Sequence, residues 1–326
     1  MPTTVYELTS SSFTGGPTRE DLLDVITLLS PTDTPFFTMF KKVKTQNVQT
    51  EWMVDLLDKA ASNAVAEGSS ATFNTVTVRQ RLLNYHQISR EDYDLSDTVR
   101  ATRQAGVRDE MRFQMAKALK QWKRDVEYDI VNGSAGSGAG ASTRCSRGIY
   151  YWLNGFSSRT ATVTGSNTGN NLQEDDLNAM LQRIWVTGGL ADYVCVTPTQ
   201  KRHISSNFSG SANSRRTAPL TNNTLVNVVD IYESDFANIR VLPHRWFDAS
   251  GVGGANLQRV SFALQHDKWM IGFLRAPKNV PLAKIGSSER AMVEGEWTLI
   301  CMHPSANAFV SGHHSAATSA TDFPNN

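Results

Sequence analysis

The chain has 326 residues, 40% hydrophobic and 19% charged, enough to bury a sizeable core in one complex domain or two intertwined ones. Its 32 basic and 31 acidic residues leave a formal charge of +1, which excludes the broad positive field that tight phosphate-backbone binding requires. Cys145, Cys195 and Cys301 lie far apart without a C-x-x-C pair, so a disulfide framework and a zinc knuckle are excluded and a reducing compartment fits.

The first twenty residues are rich in Ser, Thr, Gly and Pro, with no basic n-region followed by an apolar h-region. Nowhere do about 18 apolar residues run together, so neither signal-peptide export nor membrane spanning is expected. In "REDLLDVITLLSPTDTPFFTMF", Leu22, Leu23, Ile26 and Leu29 fall at helical spacing before Pro31, giving an arm with one short amphipathic helix. Two segments with strand character follow, "NVQTEWMVDLL" and "FNTVTVRQRLLNYHQISR", joined by the small, polar "DKAASNAVAEGSSAT". In the second, Val76 and Val78 and then Leu83 and Tyr85 alternate with polar neighbours, and the phase slips near Arg81 as in a bulged ribbon. A lone two-stranded ribbon is not stable in water, so it must lie on the rest of the chain or on a neighbouring subunit.

The stretch from Arg108 to Gly140 reads as one long helix stopped by glycine and serine. Val107, Met111, Met115, Ala118, Leu119, Trp122, Val126 and Ile130 recur in steps of three or four, one stripe expected to be buried along the whole rod. Val107 to Val131 is 25 residues, roughly 38 Å at 1.5 Å each. Arg108 with Arg112, Lys120 with Arg124, and Asp125 with Asp129 are like-charged i,i+4 pairs, against a favourable Lys123 with Glu127. Some of these charges are therefore expected to answer to other chains. Asn132 and Gly133 can adopt the left-handed conformation that ends a helix, with "SAGSGAG" as a flexible loop. An α/β pattern then begins. "LQEDDLNAMLQRIWVTGGL" is an amphipathic helix closed by Gly188 and Gly189, "ADYVCVTP" is a buried strand, and Thr197 and Pro198 open a further helix. Strands are expected at "NVVDIYES", "NIRVLPHRWF", "RVSFALQHDKWMIGFL" and "EGEWTLICMHP" before a polar tail.

Reactive constellations are not signalled. "GSAGSGAG" follows a helix C-terminus and lacks the Lys-Ser or Lys-Thr of a phosphate loop. There is no G-x-S-x-G, and His86, His203, His244, His266, His303, His313 and His314 show no ligand spacing. The carboxylates of "QEDD" stand in a helix first turn, where they complement the dipole. "RED" at 90–92 with Asp94 and Asp97 reads as a hinge of salt bridges. Trp52, Tyr85, Trp246, Trp269 and Trp297 read as core or interface filling rather than base-stacking platforms. No catalytic, cofactor-binding or metal-ligating residue is assigned, and the chain reads as one built to touch copies of itself.

The order of parts, with "DLLDVITLLSPTDTPFF", "SREDYDLSDTV", "ALKQWKRDVEYDIV", "RGIYYWL", "YVCVTPTQKRHIS", "GEWTL" and "HPSANA", resembles the major capsid proteins of tailed bacteriophages, the Hong Kong 97-like fold. The resemblance implies an α+β chain: an N-terminal arm over 1–45 and an extended hairpin, the E-loop, over 46–95. A peripheral domain would cover 96–171 and 286–315 with a spine helix at about 102–132, an axial domain 172–285, and a C-terminal tail 316–326. It also implies a non-enzymatic role. Hexamers and pentamers would form an icosahedral shell around double-stranded DNA, each E-loop lying on the adjacent subunit. Further implied partners are a separate scaffolding protein, since the arm follows Met1 too closely for a large cleaved scaffolding domain, a portal protein at one vertex and a cement or decoration protein. DNA would be contacted weakly and without sequence specificity, and assembly would take place in the host bacterial cytoplasm. Trp52, Val54, Arg79, Arg81 and Tyr85 are the expected ribbon interface, with Asp94, Arg108, Arg112 and Arg124 in inter-subunit ion pairs. No motif marks a Lys to Asn cross-link. The competing readings are a cellular nanocompartment shell of the same fold, which would hold protein rather than DNA, and a cytosolic α/β enzyme, which would show a deep polar pocket.

Overall fold

The computed structural model describes residues 31–57, 60–71, 73, 78–102, 106, 107, 109–139, 143–155, 161–164, 172–207, 230–247 and 257–312. The expected helix of Leu22, Leu23, Ile26 and Leu29 lies outside them, as do Val76, Arg108 and the tail from His313.

The long rod forms, but later than its apolar spacing indicates. Asp97–Ala101 is a separate short helix, α2, whose start is capped by the Ser96 hydroxyl accepting the Thr98 N–H. The rod, α3, runs Glu110–Asn132, and the Asp109 carboxylate accepts the Arg112 N–H at 3.3 Å, supplying a partner that the first turn lacks internally. Burial begins only at Ala118 and continues through Trp122, Val126, Ile130 and Val131, so the expected stripe is covered over the second half of the helix alone. Gly133 ends the rod without the left-handed turn expected of it, at φ −56°. Glycine is needed there for closeness: a Cβ would stand 2.5 Å from the Asp129 carbonyl and 2.6 Å from that of Ser146. The loop that follows is tied back as a small hairpin, Gly136–Ser137 (β5) against Arg144–Cys145 (β6).

α3 lies on a four-stranded sheet. Its strands are Lys41–Lys44 (β1), Gln87–Ser96 (β4), Trp269–Pro281 (β12) and Ser288–Cys301 (β13), in the order β1-β12-β13-β4. β1 is parallel to β12 and the other pairs are antiparallel. The Trp122 indole donates to the Ser89 carbonyl on β4, and that of Trp297 on β13 donates to the Ser89 hydroxyl, both at 2.9 Å. Gly295 makes room for this contact, since a Cβ there would lie 2.7 Å from the Trp122 ring. Pro35–Met39 (α1) and Ile149–Gly155 (α4) complete the layer, whose core includes Phe36, Phe40, Trp122, Trp152, Trp269 and Trp297.

A six-stranded sheet carries the second core. It comprises Ala161–Thr164 (β7), Tyr193–Val196 (β8), Ile231–Glu233 (β9), Asn238–Pro243 (β10), Val260–Leu264 (β11) and Ala308–Ser311 (β14), in the order β7-β14-β11-β8-β10-β9. Glu174–Val186 (α5) and Pro198–Asn207 (α6) accompany it. α5 starts with the Asp176 carboxylate accepting the Gln173 N–H and ends at Gly188, φ +87°, where its positive φ lets Gly189 reach back to the Ile184 carbonyl. β11 is buried on both faces, with Phe262 in the first core and Ala263 in the second, so the two cores share a wall. Asn307, fully buried within "HPSANA", accepts from the Trp269 indole and the Gln265 N–H and locks the turn between β11 and β12 to the chain's return.

Gly295→Val is expected to lower stability by about 2 kcal/mol, because the overpacked side chain separates α3 from β13. Urea unfolding of the purified chain measures it, and an unchanged midpoint would show that Trp122 gives way freely.

Candidate assembly interface

The ribbon is Gln49–Val54 (β2) paired antiparallel with Gln80–Tyr85 (β3). The phase break in the second strand falls at His86 rather than near Arg81. There the chain leaves the ribbon and becomes β4 of the four-stranded sheet. His86 is fully buried: Nδ1 donates to the Val48 carbonyl at 2.9 Å and Nε2 accepts from the Thr45 hydroxyl at 2.7 Å, which fixes the neutral tautomer, while burial lowers its pKa.

At its base the ribbon rests on its own chain. Trp52, Val54, Leu82 and Asn84 face inward. The Trp52 indole donates to the Cys301 carbonyl at 2.9 Å and its ring meets Trp152 at 5.3 Å. Val54 and Leu82 join the first core, and the Asn84 amide donates to the Leu299 carbonyl while its oxygen accepts the Arg147 N–H. Trp52 and Val54 are thus engaged within the chain, for the physical reason that the period-2 phase turns them toward β13. Glu51, Met53, Arg81, Leu83 and Tyr85 form the other face, with Met53 63% exposed.

Beyond this base the character changes. Leu57 is 98% exposed, Phe73 92%, Val78 86% and Val65 80%. Such side chains favour burial by roughly 1.5–3 kcal/mol each, and nothing among the described residues provides it.

The charged residues expected at interfaces that lie among the described residues have partners inside the chain. Arg79 pairs with Asp55 at 3.2 Å, Arg81 with Glu51 at 3.1 Å, Asp94 with Arg290 at 2.8 Å and Arg112 with Asp109 at 3.1 Å. Arg124 stacks over the Trp246 ring at 5.6 Å. The salt bridges expected around 90–97 are present: Arg90 pairs with Asp92 along β4, while Asp97 with Lys284 and Arg100 with Glu289 join Asp94 in fastening β4 and α2 to the end of the β12–β13 hairpin.

Glu127 departs most from the sequence reading. Taken there as a surface partner of Lys123, it is fully buried. Its Oε1 accepts the Phe36 N–H at 2.8 Å and a proton from His244 Nε2 at 2.8 Å, and its Oε2 accepts the Phe37 N–H at 2.7 Å. His244 Nδ1 accepts the Trp246 N–H, which places the ring proton on Nε2 facing the carboxylate. Phe36 stacks on the His244 ring at 4.7 Å. The first turn of α1 and the segment after β10 therefore meet on one side chain of α3. A glutamate within an apolar stripe next to Val126 is the only trace this left in the sequence.

A second acidic group lies where β4 crosses α3. Burial and a hydrogen bond shared with Asp125 push Glu91 up to about 7, and burial pushes Asp129 up to about 6 despite the Gln87 amide that donates to it.

With this geometry in view, the family model described as SU10 major capsid protein matches residues 2–314. The major capsid protein of Escherichia phage Phieco32 is 26% identical over 329 aligned positions, covering 86% of this chain and 90% of that one. Among solved structures, the capsid asymmetric unit of cyanophage A-1(L) superposes with a TM-score of 0.67 at 11% identity, covering 94% of this chain and all of the other (100%). The capsid of the Myoviridae phage XM1 gives 0.59 at 13% identity, covering 94% and 99%. These structural likenesses establish the Hong Kong 97-like capsid fold.

Glu127→Gln is expected to cost about 3 kcal/mol, since an amide must turn its NH2 toward a donor already in place; urea unfolding reads the loss. Raised carboxyl pKa values favour the folded chain below the ordinary values, 4.5 for Glu91 and 3.8 for Asp129, and that advantage is lost as pH climbs through about 7 and 6. The thermal midpoint should therefore fall between pH 5 and pH 8, and Glu91→Gln should flatten the fall; an equally steep fall in the variant would assign it elsewhere.

Proposed function

The chain belongs to the SU10 major capsid protein family, and on that premise we propose how its copies meet. It is a tailed-phage major capsid protein and forms the head shell. The copies gather as hexamers and pentamers, with the far part of each ribbon, residues 55–79, lying on the adjacent subunit of the same ring. The observation that carries this reading is the exposure of Leu57, Val65, Phe73 and Val78 at 80–98%. A head-to-tail contact of this kind covers every tip once and closes a ring.

The outward face of the ribbon, Met53, Arg81, Leu83 and Tyr85, extends the same surface. Arg79 and Arg81 hold carboxylates in exposed pairs worth under about 1 kcal/mol, weak enough for a neighbour's carboxylate to take them over. Asp94 and Arg112, likewise held in exposed pairs within the chain, would join Arg124, and Arg108 outside the described residues, in ion pairs between subunits. In this reading residues 1–45 serve as the arm, the parts around α3 as the peripheral domain and those around α5 as the axial domain. Assembly in the host bacterial cytoplasm is supported by the three free cysteines, of which Cys145 is only half-buried. A formal charge of +1 supports a wall that contacts double-stranded DNA weakly. A separate scaffolding protein, a portal protein at one vertex and a decoration protein complete the set of partners. The role is structural and no reaction is assigned.

Leu57→Asp with Phe73→Asp is expected to abolish shells and rings in negative-stain micrographs, with at least about a tenfold loss of assembled mass by light scattering. The thermal midpoint of the unassembled chain should stay unchanged, because neither side chain supports the fold. Normal shells from the double variant would remove the ribbon from the interface.

A further inference from the structure

Among the described residues, nothing covers one flank of α3. Met115 is 39% and Leu119 38% exposed, and around them Arg112, Ala116, Lys120 and Lys123 are exposed too. By helical geometry these six side chains fall on one side of the rod. This is the N-terminal continuation of the surface that α1 already covers, where Phe37 meets the Trp122 ring edge-on at 6.1 Å and the α1 backbone binds Glu127.

The chain reaches α1 from a defined place. The Asp33 carboxylate pairs with Arg245 at 3.0 Å and its carbonyl accepts the Trp246 indole proton at 3.1 Å, beneath the Arg124 guanidinium. Residue 33 thus stands beside position 124 of α3, and the preceding segment starts at the edge of the open flank. The distance from Arg124 back to Arg112 is about 18 Å along the axis, and residues 19–30, in the helical form their spacing indicates, span about 18 Å. Leu22, Ile26 and Leu29 repeat at i, i+4, i+7, the spacing at which one helix presents a ridge to another. The same segment carries Glu20, Asp21 and Asp24 against one arginine, opposite a flank whose exposed charges are Arg112, Lys120 and Lys123. Asp109 and Glu110 stand at the far end, where Asp109 already holds Arg112.

We propose that residues 19–30 dock on this flank of their own chain, with Leu22, Ile26 and Leu29 over Met115 and Leu119 and the acids toward Lys120 and Lys123. The short connection through Pro31 and Thr32 keeps the segment at high effective concentration beside the helix, which favours the same chain over a neighbour.

Hydrogen exchange on the dilute, unassembled full-length chain tests this. Amides of residues 112–123 should exchange about tenfold faster in Leu22→Asp with Ile26→Asp than in the unaltered chain, and Lys120→Glu with Lys123→Glu should move them in the same direction. Amides of 126–132 should stay protected in every variant, showing that α3 itself remains folded. Equal exchange at 112–123 in all three chains, or protection that appears only in assembled shells, would overturn the assignment.

Discussion

One buried carboxylate decides how the pieces of this chain meet. Burying a charge costs several kcal/mol unless its acceptor sites are filled, and Glu127 meets that condition only when Phe36, Phe37 and His244 are all in place. Those three partners come from the first turn of α1 and from the segment after β10, so α3 can bury its second half only with both docked. The aromatic shell around the group, Phe36 on His244 and His244 against Phe247, excludes the water that would otherwise substitute for a missing partner.

The same arrangement separates the parts of the molecule that are internally complete from those that are not. Around Glu127, Trp122 and Asn84 nearly every polar group has a partner inside the chain, and the helix, the four-stranded sheet and the ribbon base form one core. Moving away from that centre, the first half of α3 and the ribbon beyond Val54 present apolar side chains to water. A shell protein needs this division: a centre stable enough to fold alone, and projecting elements that gain their burial only from further chain. The resolved ion pairs at the end of the β12–β13 hairpin follow the same logic, being exposed and individually weak.

Much of the fold was legible because periodicity is a direct imprint of burial. The apolar steps of α3, the closing glycines of α5 and the apolar run of β8 located those elements from the residues alone. What stayed hidden depended on partners distant in sequence. Glu127 and Lys123 at i, i+4 read as a surface pair, since nothing local announces that residues 36, 37 and 244 will converge on the carboxylate. The ribbon's phase could not be fixed either, because strand alternation is symmetric until a third element selects a face. Asn84 and β13 make that selection, turning Trp52 and Val54 inward and leaving Met53 outside. Gly133 shows the converse: its place after a helix suggested a left-handed turn, whereas the Ser146 carbonyl, thirteen residues on, is what requires it.

The most direct test of the central claim, that the distal ribbon is completed by a second copy, is an electron cryo-microscopy reconstruction of shells assembled from this chain. Leu57 and Phe73 should lie against the adjacent subunit of the same ring, with Trp52 and Val54 unmoved in their own core. A ribbon folded back on its own subunit, or standing in solvent with the rings closed by other surfaces, would contradict it.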